Sequence, residues 1–277
     1  MSEAMRARMT DGTYPLGSHL PPQRALAKEF GVSRDTVQRV LRELIDEGWI
    51  QSRQGSGSRV IKSQHIQSPR AFEAGRGRPV TLGPLIDEAF GQSEITLDVS
   101  TLTSETLDAH IRLQAERIRA GAISPERIAL RMLLPSEDLA LPYPRIKDNP
   151  DDLRMRDRLL GITRRHTASL RAVLGELETE GLVPTVAVEI KHAPLTPAFK
   201  LYLLNESEAL FGPYEVIERP IVLPDGGEGE RTDAIDVLGL GATLTHVVRD
   251  GDVSSQGSVF VDSMQSWFDS VWNLLAT

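Results

Sequence analysis

Residues 30–57 read FGVSRDTVQRVLRELIDEGWIQSRQGSG. Within them, Val37, Val40, Leu41, Leu44 and Ile45 recur at the spacing of one face of an amphipathic helix, so a helix is predicted over 34–47. Ser33 suits its N-cap, because a hydroxyl there can accept a free backbone N–H. Gly48 suits its end. The opposite face carries Arg34, Asp35, Gln38, Arg39 and Arg42. Upstream, a shorter helix runs from about Pro22 to Phe30, with proline in the first turn, where its missing N–H costs nothing. Gly31-Val32-Ser33 joins the two, which is a helix-turn-helix. Downstream, WIQSRQGSGSRVIK (49–62) reads as strand, Gly-Ser-Gly turn and strand, a hairpin wing.

The 277-residue chain is 40% hydrophobic and 25% charged, an ordinary globular composition. It has no cysteine, which excludes disulfides, thiolate metal sites and a cysteine nucleophile. No apolar run is long enough to span a bilayer, and the N-terminal stretch MSEAMRARMT lacks the apolar core of a secretory signal. A cytoplasmic protein with no membrane contact is expected. Net charge is −8, yet the first 63 residues carry 10 basic and 7 acidic side chains against 21 and 32 in the remainder. A basic head on an acidic body confines nucleic-acid contact to the head.

At this point the head resembles the GntR family of bacterial transcription regulators. The matching residues are Asp11-Gly12, Pro15-Leu16-Gly17, Leu20-Pro21, Arg24, Leu26-Ala27, Phe30 to Arg34, Thr36-Val37, Leu41, Leu44, Gly48 to Ile50 and Arg53 to Gly57. The resemblance implies a winged helix-turn-helix whose second helix enters the major groove and whose wing tip, Gln54 and Gly55, lies against the minor groove. Arg34 and Gln38 sit near the helix start, where base edges are read; Arg suits guanine and Gln adenine. Arg39 lies on the same outward face. Arg24, Ser33 and Thr36 suit phosphates. Gly55 and Gly57 let the backbone approach DNA closely. Asp35 departs from this chemistry, since a carboxylate beside DNA either accepts from cytosine or repels phosphate. The family's first helix reads as short here, either trimmed or continued upstream of the given start.

Residues 64–84 are rich in Ser, Pro and Gly without periodicity and read as a linker between a head (1–63) and a body (85–277). Within the linker, GRGRP (75–79) resembles the core of an AT-hook, an extended segment that threads an A·T-rich minor groove.

The body alternates strand and helix patterns. Strands are predicted at 94–100, 127–134, 183–191, 199–204, 208–211 and 214–222, with helices at 103–120 and 151–181, the second either one helix or a pair. A terminal helix carries Phe260, Met264, Trp267, Phe268, Val271, Trp272 and Leu275 as one apolar stripe. This is an α/β organisation with a mixed sheet and helices on its faces. The six histidines show no metal-ligand spacing, and no cofactor is expected. The acidic glycine-rich stretch PDGGEGER (224–231) does not open a helix and reads as a solvated turn.

Residues 198–215, AFKLYLLNESEALFGPYE, carry a second resemblance. Lys200, Asn205 and Gly212 match the spacing of the phospholipase D-like superfamily, whose motif places a histidine two residues before the lysine and an aspartate where Asn205 stands. The resemblance implies an α/β/α domain over about 95–275. Ala198 replaces the histidine, so neither nucleophile nor general acid is present. The expected body is therefore a non-catalytic sensor and dimerisation domain. Lys200 and Asn205 are its candidate effector-binding residues, and the lysine favours a phosphorylated small molecule. The combined expectation is a homodimeric, ligand-responsive repressor on a palindromic operator in double-stranded DNA. The alternatives are a DNA-tethered phosphodiesterase or nuclease, and a DNA-bound body that recruits another protein.

Overall fold

The computed structural model describes residues 1–10, 13–14, 18–46, 49–53, 57–60, 65–67, 82–223, 231–238 and 243–277. The expected wing tip at Gln54 and Gly55 and the GRGRP stretch lie outside these residues.

The head opens with helix α1 (Ser2–Thr10), followed by α2 (Gln23–Glu29) and α3 (Arg34–Asp46). Gly31 has φ of +63°, a left-handed conformation that favours glycine, and it turns the chain out of α2. The Val32 N–H then reaches back to the Ala27 carbonyl at 3.1 Å, a Schellman closure that satisfies one of the last free carbonyls. Strands β1 (Ile50–Arg53) and β2 (Gly57–Val60) pair antiparallel, with Ile50 opposite Val60. Leu20 N–H bonds to Ser58 O and Val60 N–H to Ser18 O, so residues 18–20 add a short third edge to the wing. Met5, Met9, Leu26, Val37, Leu41, Leu44, Trp49 and Ile50 close one apolar core beneath the helices. Arg6 of α1 is buried against Glu43 of α3 at 3.0 Å.

The body is built on β4 (Glu94–Ser100), β5 (Arg127–Pro135), β7 (Thr185–Ala193), β8 (Phe199–Leu204), β9 (Glu208–Pro213) and β12 (Thr243–Val248). Among the described residues, these and β3 (His65–Gln67) form a seven-stranded sheet in the order β3-β12-β9-β8-β4-β5-β7. The strands β4, β5 and β7 run parallel, linked through helices; β8, β9 and β12 continue the sheet antiparallel. A second sheet joins β10 (Glu215–Val222), β11 (Arg231–Leu238) and the two-residue β6 (Arg145–Ile146).

Helices α4 (Leu82–Ala89), α5 (Glu105–Arg119) and α6 (Arg154–Thr179) contribute to one core with the sheet, through Leu85, Ile86, Leu107, Ile111, Leu170 and Leu174. The terminal helix α7 (Gln256–Leu274) packs through Val261, Phe268, Val271 and Trp272 on Leu133, Leu201 and Leu203, in a separate core. Its N-cap Ser255 accepts from the Ser258 N–H. Helix α5 is buried round much of its circumference, because α6 and α1 of the head also pack against it. The α5–α6 seam holds a polar cluster: Asp108 Oδ2 lies 2.7 Å from His166 Nδ1, and Arg112 Nη2 donates to Ser169 Oγ at 2.6 Å.

Several expectations change. Of the two readings left open for residues 151–181, the structure has the single helix, Arg154–Thr179. Residues 65–67, placed in the linker, form a strand on the body sheet parallel to β12, and α4 begins at 82, inside the stretch expected to be linker. The strands at 231–238 and 243–248 were not anticipated, and Arg231, expected in a turn, begins one of them.

Candidate nucleic-acid interface

Helix α3 divides cleanly. Val37, Val40, Leu41 and Leu44 are buried, while Arg34, Asp35, Gln38, Arg39 and Arg42 are exposed. The Ser33 hydroxyl accepts the Thr36 N–H at 3.1 Å, and the two hydroxyls lie 3.0 Å apart. That cap fixes the first turn, from which Arg34 and Gln38 project. Among the described residues, Arg24, Arg34, Gln38 and Arg39 form no hydrogen bond or ion pair within the protein. Three guanidinium groups and an amide stand in solvent with their hydrogen-bonding capacity unspent, on helices locked by the core behind them. Gly57, at the start of β2 opposite Arg53, has φ of +78°, a left-handed conformation that favours glycine.

Arg8 braces the same domain from behind. It bonds to the Tyr14 hydroxyl at 2.9 Å, pairs with Glu29 and lies 4.6 Å from the centre of the Phe30 ring. Its charge is thus committed inside the head, unlike those on the outward face.

The body residues singled out from the 198–215 stretch do not share a site. Lys200 is buried on the sheet face toward α5, with Nζ 5.8 Å from the centre of the Tyr214 ring. It walls a cavity of about 60 Å³ with Glu105, Arg158, Arg219 and Asp236. Asn205 lies beyond the far end of β8, five residues on, which is about 17 Å at the rise of an extended strand. Its Oδ1 accepts from Thr96 N–H at 2.9 Å and its Nδ2 donates to Ala89 O at 3.1 Å. Asn205 thus holds the β8–β9 turn and lines a different cavity from Lys200, with Leu85, Glu88 and Ser207. The hydroxyl of Tyr214 accepts from Leu102 N–H at 2.8 Å and lies 3.1 Å from Thr101 Oγ1.

A larger cavity, of about 220 Å³, lies beyond the carboxyl end of β5, between the loop that follows it and the first turns of α6. Its walls combine the loop after β5 with Arg156, Leu159, Leu160 and Thr163 of α6 and His192 of β7, segments far apart in the chain. Among the described residues, no cluster of His, Asp or Glu could hold a metal ion, and no helix is long and apolar enough to cross a membrane.

Residues 2–60 match the family model described as "Bacterial regulatory proteins, gntR family". The chain is similar to an uncharacterized HTH-type transcriptional regulator of Rhizobium meliloti (strain 1021), 33% identical over 84 residues, 29% of this chain and 34% of that one. It is similar to the regulator YdfD of Bacillus subtilis (strain 168), 32% identical over 112 residues, 39% of this chain and 23% of that one. It is also similar to the mannosyl-D-glycerate transport/metabolism system repressor MngR of Escherichia coli (strain K12), 40% identical over 66 residues, 24% and 27% of the two chains. The chain therefore spans between 23% and 34% of the length of these relatives. The head is a GntR-family helix-turn-helix domain. The family match ends at residue 60, so it lends no support to the phospholipase D-like expectation for the body.

Proposed function

We propose that this protein is a GntR-type transcriptional regulator that binds double-stranded DNA as a homodimer and answers to a small molecule. The observation that carries the reading is the exposed face of α3 and α2. Among the described residues, Arg34, Gln38, Arg39 and Arg24 have no partner, on a domain whose core is closed. The N-terminal turn of α3 enters the major groove, where Arg34 and Gln38 reach base edges. Arg24, Ser33 and Thr36 take phosphates, and the wing, with Gly57 at its return, follows the backbone. Two heads read the halves of a two-fold symmetric operator, since a symmetric dimer presents the same surface to each.

The body dimerises and senses; catalysis is not part of the reading. Ala198 stands where the phospholipase D-like motif has its histidine, and Lys200 is enclosed rather than presented. The relation to that superfamily rests on the Lys200, Asn205 and Gly212 spacing and on the mixed sheet that carries it. Repression follows from occupancy of the operator, and a ligand that favours one arrangement of head and body shifts its population. Support for such coupling is spatial: α1 of the head packs on α5, and α5 packs on α6.

Selection of duplexes from a random pool with the full chain tests the reading. A two-fold symmetric consensus is expected. A pool that stays random, or enrichment by base composition alone, contradicts it.

A further inference from the structure

The cavity of about 220 Å³ has predominantly apolar walls, with Leu139, Leu141, Leu153 and Leu160 among them. Arg145, Arg156, His192, Glu137, Asp151 and Asp152 also line it. Two of the three carboxylates are committed to arginines that do not line the cavity. Arg164 grips Glu137 through two bonds, Nε to Oε1 at 3.0 Å and Nη2 to Oε2 at 2.5 Å. That contact holds Glu137 below the usual carboxylate range. Arg154 likewise grips Asp152, with Nη2 to Oδ2 at 2.7 Å, and Asp152 also accepts the Arg154 backbone N–H at 3.0 Å. Asp151 is exposed.

The two cavity arginines are held differently. Arg156 Nη2 donates to the Glu137 carbonyl at 2.7 Å, and its buried Nε makes no hydrogen bond. Arg145 reaches only the carbonyls of Ile146 and Lys147, at 3.5 and 3.4 Å. Among the described residues, neither has a carboxylate within ion-pair distance. The cavity thus joins apolar walls to guanidinium groups positioned by neutral carbonyls. It sits beyond the carboxyl end of a parallel strand, the usual place for a ligand in such sheets.

We propose that this cavity binds a small monocarboxylate with an apolar body, its carboxylate on Arg156 and Arg145 and its chain among the leucines. A planar carboxylate matches a guanidinium fork. A dianionic phosphate ester fits less well, because Glu137, Asp151 and Asp152 remain on the walls and repel a second negative charge. Binding stands on the cavity itself; its regulatory consequence rests on the reading of the chain as a ligand-responsive regulator. Lys200 belongs to the neighbouring smaller cavity, across a partition of Leu102, Pro144 and Leu159 that both cavities share.

The test is calorimetric titration of the full chain with hexanoate and phenylacetate, with hexanol and hexylammonium as neutral and cationic controls. The expected result is saturable millimolar or tighter binding of a carboxylate, with neither control binding. Arg156→Gln lowers the affinity at least tenfold, and Leu160→Trp, which fills the chamber and leaves the arginine, abolishes it. Arg127→Gln, at the opposite end of β5, leaves it unchanged. Failure of both carboxylates to bind, equal binding of hexanol, or undiminished binding by both cavity variants would overturn the proposal. A parallel DNA titration with and without the bound carboxylate separates the two readings. Binding that leaves DNA affinity untouched keeps the site and removes ligand-responsive regulation.

Discussion

Asn205 Oδ1 accepts the backbone N–H of Thr96 at 2.9 Å, tying the β8–β9 turn to β4 across 109 residues of chain. The same side chain donates to Ala89 O, and its φ of 49° lies in the left-handed region, which asparagine tolerates better than most residues. Asn205→Ala should therefore destabilise the body by about 2–4 kcal/mol, from two lost bonds and backbone strain together. Asn205→Gly removes the strain and keeps the loss of bonds, so it should fall between wild type and alanine in urea unfolding. Equal stability of all three would show that the turn does not depend on this side chain.

Ser33 caps α3 through Thr36 N–H. Ser33→Ala should cost the head about 1 kcal/mol. Ser33→Asp retains a cap acceptor, so it should restore stability while weakening DNA binding, because it sets a carboxylate beside phosphate. Denaturation and DNA titration of the two variants would then rank them in opposite orders.

Burial pushes the Tyr214 phenol up to about 12, and burial also raises Tyr202. An unfolded tyrosine titrates near 10. Between about pH 10 and 12 the unfolded chain has therefore released a proton that the folded chain keeps. The contribution to stability is whole below about pH 10 and is lost as pH rises toward the folded value, at up to about 1.4 kcal/mol per pH unit for each such group. Tyr214→Phe should flatten this alkaline slope. It should also cost about 1–3 kcal/mol at neutral pH, by leaving the Leu102 N–H without its acceptor. Unfolding midpoints at several pH values would show both effects.

The head was legible because its local signals agree: an apolar stripe on α3, a cap at Ser33, a left-handed glycine at Gly31 and a hairpin after Trp49. The parallel strands were legible from apolar runs bounded by turns. Strand β11 was not, because Asp233 and Asp236 break its pattern; buried Asp236 is paired with Arg219, at 2.8 Å from Nε, and accepts the Val237 N–H at 2.8 Å. Helix α4 was hidden by Gly83 and Pro84, which read as breakers although both fall in its first turn. Lys200 and Asn205 read as one site because their spacing resembles the phospholipase D-like motif. An extended strand instead carries them to opposite ends of the sheet. The larger cavity was invisible for the converse reason: Ser136, Arg145, Arg156 and His192 are scattered along the chain, and only the fold gathers them.

Arg24 projects from α2 without a partner among the described residues. Its replacement by alanine should weaken operator and random DNA alike and reduce the salt slope of binding by about 1, the signature of one lost phosphate contact. A loss confined to the operator would make Arg24 a base-reading residue.

Arg34, at the exposed start of α3, is expected to read a base. Fluorescence anisotropy of the full chain and of Arg34→Ala, on a selected operator and on scrambled duplex at the same salt, tests it most directly. The expected result is a loss of about 1–3 kcal/mol on the operator and little on the scrambled duplex, with relaxed preference at one position in each half-site. An equal loss on both duplexes, or none on either, would contradict it.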